Sequence, residues 1–113
     1  MGPKLREESA VHARIATFEG LDPDHLDDAI EANRRQVEAG FASPPEGLEG
    51  VKEEWMLVDR EAGKAIGMTL FETEEDLRRG DEALNAMSPE DVDADARRTS
   101  VSFYEVALRM ERG

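Results

Sequence analysis

The clearest pattern of hydrophobic and polar positions lies in residues 51–71, VKEEWMLVDREAGKAIGMTLF, where two apolar stretches flank a short polar one. The polar stretch opens with Asp59 and contains Gly63, a residue suited to positive φ, at the spacing of a four-residue hairpin loop. The pattern therefore predicts a β-hairpin closed by Asp59 and Lys64. Because cross-strand partners share a face of the sheet, this register also predicts the composition of both faces.

One face of the predicted hairpin is nearly all apolar, and the other is mixed. The apolar face pairs Leu57 with Ile66, Trp55 with Met68 and Glu53 with Leu70. The mixed face carries Lys52, Glu54, Met56 and Val58 opposite Phe71, Thr69, Gly67 and Ala65. We expect partial burial on both sides of this sheet. A shift of one residue in the loop would exchange the two faces.

A first strand is predicted over residues 11–18, VHARIATF, because its side chains alternate between two sides. One side carries Val11, Ala13, Ile15 and Thr17, and the other carries His12, Arg14, Ala16 and Phe18. The first side suits a core formed against helices.

Two helices are predicted from their terminal residues and their apolar spacing. The first begins at Asp22 and Pro23, which suit a helix N-terminus, and is expected to end at Gly40 in a left-handed cap. Thr73 caps the second helix, whose first turn is acidic. Gly80 interrupts the second helix and marks either close packing or a weak point.

The resulting order of elements is strand, helix, hairpin, helix, strand, with residues 99–108 as the last strand. This βαββαβ order is typical of an α+β ferredoxin-like domain with a four-stranded antiparallel sheet. Two helices cover one face of such a sheet. The other face, expected to carry Phe18, Met56, Val58 and Phe71, predicts a homodimer formed through the sheet faces. Residues 1–10 read as a polar N-terminal arm, and residues 11–113 as this single domain.

Composition narrows the classes of function. The 113-residue chain has a formal net charge of −13, which argues against nucleic acid and anionic membranes as partners. It has no apolar run of membrane-helix length and no secretory signal, so we expect a cytoplasmic location.

The absence of cysteine excludes disulfides and thiolate ligands. Residues 81–95 carry six acids and no base, and we interpret them as a solvated segment. We predict no cofactor and no bound metal.

The element order, the stretch AIGMTLFETEEDL that leads from the third strand into a helix, and the closing strand SVSFYEVAL resemble the antibiotic biosynthesis monooxygenase-like family. The similarity spans residues 11–108. It implies a dimeric α+β barrel in which each subunit keeps a pocket between sheet and helices. Members of this family include cofactor-free oxygenases acting on polycyclic aromatic phenols, haem-degrading enzymes and small-molecule isomerases.

Two departures from the family pattern bear on function. The family's aromatic residue before the second helix is commonly Trp, and Phe71 stands there in this chain, without an N–H donor. The haem-degrading branch has an Asn in its first strand and a haem-ligating His in its second helix. This chain has neither residue at those places, so the resemblance does not extend to haem cleavage.

Three residues are candidates for catalysis. Arg14 could bind a carboxylate or phenolate, or could form a salt bridge to Glu54 or Glu105. His12 could act as a base near neutral pH, or could lie at the surface or in a hydrogen bond at the end of the strand. Tyr104 could donate a hydrogen bond to a substrate oxygen, or to the backbone.

The residues predicted to line the pocket are Asn33, Met56, Phe71 and Phe103. Asn33 has a structural alternative as a satisfied amide at the boundary between helix and sheet. The leading hypothesis is cofactor-free oxidation of a small aromatic substrate, whose anion Arg14 or Tyr104 would stabilise while the substrate carbanion reduces oxygen. The alternative is a non-catalytic small-molecule-binding or homodimeric assembly module whose pocket is filled by side chains. Space for an aromatic ring favours the first hypothesis.

Overall fold

The computed structural model of the protein describes residues 11–87, 97–110 and 112. Within these residues the elements are β1 Val11–Glu19, α1 Leu26–Ala42, β2 Val51–Asp59, β3 Lys64–Phe71, α2 Glu74–Ala86 and β4 Arg97–Val106. The four strands form one antiparallel sheet in the order β2-β3-β1-β4. This order confirms the predicted ferredoxin-like α+β fold. The predicted arm at 1–10 and most of the acidic segment at 81–95 lie outside the described residues.

The hairpin forms with the predicted register from Glu53 to Lys64. In its loop the Asp59 carboxylate accepts a hydrogen bond from the backbone N–H of Ala62 at 3.1 Å, and Gly63 has a φ of 64°. A side chain at Gly63 would also collide with the carbonyl oxygen of Leu21. The predicted pairing of Lys52 with Phe71 is wrong, because the register shifts at the start of β2 and Val51 takes that place.

Side-chain caps set the starts of both helices. The Thr73 hydroxyl accepts a hydrogen bond from the Asp76 N–H at 3.0 Å, which confirms the predicted cap of α2. The Asp22 carboxylate caps a short 3₁₀ turn, Pro23–His25, that leads into α1. The predicted left-handed cap at Gly40 is wrong, because α1 continues to Ala42. Glycine permits positive φ without imposing it, and the helix instead stops where Ser43 precedes a proline.

The helices cover the side of the sheet that carries Arg14, Thr69 and Phe71. Phe71 is fully buried, and its ring lies directly against Gly80 of α2, so the close packing considered for Gly80 is present. At the other end of this side, a small core joins Leu21, Leu26 and Ala65, with Ile30, Met56 and Val58 packed against it.

This arrangement reverses the predicted facing of β1. The helix-covered side carries His12, Arg14, Ala16 and Phe18, not the set that begins with Val11. Phe18, Met56, Val58 and Phe71 therefore lie under the helices rather than on an exposed face. Alternation along a strand shows which residues share a side of the sheet. Because both sides of β1 carry apolar groups, the pattern alone does not show which side faces the helices.

The opposite side of the sheet, called the open face below, carries the apolar set of the hairpin. Trp55 and Leu57 of β2 and Tyr104 of β4 are each about half exposed there, at 51%, 48% and 57%. Ile15, Ile66 and Met68 lie between them across the paired strands. The side chain of Arg109, beyond β4, reaches Glu53 on β2 at 3.0 Å.

Candidate functional site

A cavity of about 520 Å³ lies between α1 and the helix-covered side of the sheet. Its floor is formed by small residues of two central strands, Ala16, Ala65 and Gly67. A Cβ added to Gly67 would meet only a carboxylate oxygen of Glu54, at 3.7 Å, so the floor is open above it. The facing wall includes three small residues of α1, Ala29, Ala32 and Ala39. Space remains at this part of the cavity because the residues named on the floor and on the facing wall are small.

Three polar side chains cross the cavity floor in a line, called the polar row below. Arg14 of β1, Thr69 of β3 and Glu54 of β2 are successive cross-strand neighbours. Arg14 and Thr69 are buried, and the Thr69 hydroxyl donates a hydrogen bond to Glu54 Oε2 at 2.5 Å. A cation, a hydroxyl and a carboxylate brought together in an apolar cavity are typical of a ligand or catalytic site.

Glu54 is the titratable group of the polar row whose protonation is most perturbed. Burial raises the pKa of its carboxyl from 4.5 to about 7, against the lowering effects of the Thr69 hydrogen bond and the Arg14 charge. Desolvation disfavours the charged form of a carboxyl, which explains the direction. Both the acid and the carboxylate are therefore populated near neutral pH. A group of this basicity can accept a proton from a weak acid bound beside it.

Helix α2 holds the guanidinium of Arg14 from one side. Its Nε donates to Asp81 Oδ1 at 2.8 Å, and its Nη2 donates to Asn85 Oδ1 at 3.2 Å. Asp81 and Asn85 are one helical turn apart, so both reach the same side chain. The salt bridge expected between Arg14 and Glu54 or Glu105 is therefore replaced by a pair with Asp81.

Two of the predicted lining residues lie on the cavity wall. Asn33 of α1 donates from Nδ2 to the Met56 sulfur at 3.4 Å, and both residues line the cavity. Phe71 lies elsewhere, because its ring is packed beneath α2 against Gly80. Phe103 is on the helix-covered side but at its β4 edge, half exposed and outside the cavity wall.

The three candidate catalytic residues are separated by the fold. Arg14 lies on the cavity floor. Tyr104 pairs with Ala13, so its side chain belongs to the open face and cannot donate into the cavity. His12 borders a separate depression between α2 and β4, outside the cavity.

Sequence reasoning considered Glu54 only as a partner for Arg14 and missed it as a functional group. A signal was nevertheless present: Glu54 shares its side of β2 with Met56 and Val58, where an apolar residue would be expected. A carboxylate in such a row points into the protein rather than into solvent. Its raised pKa could not be read from the pattern, because it depends on burial beneath the helices.

The described residues hold neither a cluster that could bind a metal ion nor a helix that could span a membrane. No group of three or more His, Cys, Asp or Glu side chains in the described ranges is arranged to hold a metal ion. Within those same ranges, neither helix is long and apolar enough to span a membrane.

Comparison with known proteins supports the fold. No protein-family model and no curated protein matches the sequence. The chain is similar to a monooxygenase from the gene ActVA-Orf6 of Streptomyces coelicolor, solved with the ligand Nanaomycin D, with a TM-score of 0.62, 12% identity and 96% of each chain covered. It is also similar to a conserved protein from Methanosarcina mazei Go1, with a TM-score of 0.53, 14% identity, and 88% of this chain and 97% of that chain covered. At these identities the likeness shows the fold, and at that level it confirms the resemblance drawn from the sequence.

Proposed function

We propose that the cavity binds a small aromatic substrate with a weakly acidic hydroxyl, and that the protein oxidises this substrate with molecular oxygen without a cofactor. The observation that carries the proposal is Glu54, with a pKa of about 7, on the floor of the same apolar cavity as Arg14, with Thr69 between them. A base and a cation that line the same cavity are what the ionisation of a phenol in an apolar site requires. The likeness in fold to a monooxygenase supports oxidation as the reaction class.

The size and lining of the cavity suit an aromatic body. A cavity of about 150 Å³ is enough to hold benzene, so about 520 Å³ leaves room for more than one ring. Its apolar lining includes Phe18, Val37, Leu48, Met56 and Leu84. The open volume argues against the alternative module, in which side chains would fill the pocket.

In the proposed mechanism the Glu54 carboxylate accepts the hydroxyl proton of the substrate. The resulting oxyanion accepts hydrogen bonds from the Arg14 guanidinium, while the Thr69 hydroxyl keeps the Glu54 carboxylate in place. The electron-rich anion then reduces oxygen. For a phenol that becomes a quinone, the substrate loses two hydrogens and gains one oxygen atom, and the second oxygen atom leaves as water. All four electrons taken up by O₂ come from the substrate, so no other reductant is consumed.

1-Naphthol is a suitable first probe, because its oxidation to 1,4-naphthoquinone has this stoichiometry. The wild-type protein should consume one O₂ per quinone formed. Glu54→Gln should lower the rate by about a hundredfold or more, the usual range for a lost general base. Arg14→Met should lower it as well, since the oxyanion loses its cation. Binding without oxygen uptake would instead favour the non-catalytic binding module, and absence of binding would refute both readings of the cavity.

A cavity-filling pair tests the location of the site. Gly67→Val should abolish naphthol binding, because its side chain occupies the open floor. Thr17→Val, placed on the open face of the same sheet, should leave binding unchanged. If both variants bind the probe as the wild type does, the ligand lies elsewhere.

We also infer that the open face forms a homodimer. Trp55, Leu57 and Tyr104 stay about half exposed there and continue into a larger apolar surface with Ile15 and Met68. Apolar patches of this kind usually mark an interface. A second copy of the same face is a self-complementary partner, as two-fold symmetry requires. Each subunit would then keep its own cavity on the far side of the sheet.

A further inference from the structure

One edge of the Arg14 guanidinium is hydrogen-bonded to other residues of the protein. Its Nε and Nη2 donate to Asp81 and Asn85 of α2. A guanidinium carries five N–H donors in a planar fork, so two on Nη1 and one on Nη2 remain. Within the described residues, these three donors form no hydrogen bond with the protein.

The unused edge of Arg14 faces free space. No side-chain nitrogen or oxygen in the described ranges is both fully buried and unpartnered, so Nη1 must keep some accessible surface. The Arg14 side chain is 5% exposed and lines the cavity. Because Arg14 lines the cavity, we assign this accessible surface to the cavity.

The two residues of α2 that contact Arg14 differ in their surroundings. Asp81 is partly buried, with a side chain that is 23% exposed. Asn85 Oδ1 accepts a second hydrogen bond, from Nη1 of Arg98 on β4 at 2.7 Å, so two guanidinium groups orient one amide. Arg14 is thus held by α2, and Arg98 of β4 acts on it only through Asn85.

We propose that Asp81 and Asn85 are positioning residues for Arg14, which hold one edge of its guanidinium on α2 and so direct the other edge at the oxygen of a ligand anion. Asp81 also offsets the charge of Arg14. The guanidinium is then not committed to a permanent ion pair with Glu54, whose carboxylate stays available to take a proton. This inference rests on the proposed function, because it requires Arg14 to bind an anion.

The test compares two ligands that share one apolar body. 1-Naphthol can ionise, whereas its methyl ether cannot, so the ratio of their dissociation constants reports the contribution of anion binding. Wild-type protein should prefer 1-naphthol. Asp81→Ala and Asn85→Ala should each lower that preference about tenfold, the size of one charge-assisted hydrogen bond. Binding of the ether should stay within about twofold, because apolar contacts are unchanged.

Two further variants separate positioning from structural support. Asp81→Asn should keep most of the preference, since its amide oxygen can still accept from Arg14 Nε. Glu82→Ala removes an exposed acid from the same helix without touching Arg14 and should bind both ligands as the wild type does. Far-UV circular dichroism checks that each variant is folded, and Asn85, which is exposed, provides the variant least able to disturb the core.

The outcomes are distinguishable. Equal weakening of both ligands in Asp81→Ala and Asn85→Ala would mean that these residues only support the fold, and would overturn the inference. An unchanged preference in both variants would overturn it too, while the proposed function would stand if Arg14→Met abolished the preference. If wild-type protein showed no preference for 1-naphthol, the proposed function itself would fail, and the positioning role with it.

Discussion

Replacing Glu54 with glutamine should stabilise the protein at alkaline pH and have little effect in acid. In the folded protein the pKa of Glu54 is about 7, compared with 4.5 for an ordinary glutamate. Between these pH values the folded chain holds a proton that the unfolded chain has released, so stability falls as pH rises. Since one pKa unit corresponds to about 1.4 kcal/mol, the whole difference is worth roughly 3 kcal/mol of unfolding free energy. Glutamine cannot ionise, and its amide oxygen can still accept the Thr69 hydrogen bond.

Urea unfolding followed by far-UV circular dichroism, from about pH 4 to about pH 8.5, measures this effect. The gain of Glu54→Gln over wild type should grow by roughly 3 kcal/mol across the range and level off above about pH 8. Glu61→Gln, an exposed acid in the hairpin loop, removes the same charge and should stay within about 0.5 kcal/mol of wild type throughout. If the gain in unfolding free energy of Glu54→Gln did not depend on pH, the carboxyl of Glu54 would not be desolvated in the folded protein. Glu54 could then not be proposed as a base near neutral pH.

Three other predictions concern packing, charge and assembly. Gly80→Ala should lower the free energy of unfolding by about 1–3 kcal/mol in thermal or urea unfolding, because the new methyl group overlaps a buried ring. Gly40→Ala, where a Cβ would meet nothing within 4 Å, should raise it by about 0.5–1 kcal/mol, and equal effects at both sites would contradict the packing. Arg14→Met should cost about 3 kcal/mol by leaving the Asp81 carboxylate unpaired, and adding Asp81→Leu should restore most of the loss. Leu57→Glu should convert a dimer to a monomer in sedimentation velocity, whereas a monomeric wild-type protein would refute the homodimer.

The hairpin and the helix starts could be predicted because their determinants are local. Asp59 and Gly63 act within the loop that they form, and Thr73 bonds to an N–H three residues ahead. Such signals can be interpreted without knowledge of the rest of the chain. Once the loop was placed, the register of the two strands followed from it, and only the shifted pairing at Val51 was missed.

The facing of the sheet and the partner of Arg14 could not be predicted in the same way. Asp81 lies 67 positions away from Arg14 in the chain, and their contact exists only because α2 crosses above β1. The sequence showed Asp81 as part of an acidic run, which is usually a solvated feature. Which side of the sheet the helices cover depends on how both helices dock, and the residues of β1 carry no local signal for that choice.

The misassigned face and the cavity have one physical origin. If the helix-covered side consisted of large apolar residues, α1 would pack directly against the strands. The hydrophobic pattern of the sequence would then show which side of the sheet is buried. Here the middle of that side carries Arg14, Glu54 and small residues such as Gly67, so it looks less apolar than the open face and also leaves the cavity unfilled. An unfilled cavity and a buried charge are both destabilising. A chain that keeps both must bury apolar surface elsewhere in order to stay folded. The open face, with Trp55 and Leu57 half exposed, is the surface able to supply that burial. We therefore expect mutations that separate the proposed dimer to be tolerated better in a chain whose cavity has first been filled, as by Gly67→Val, than in the wild type.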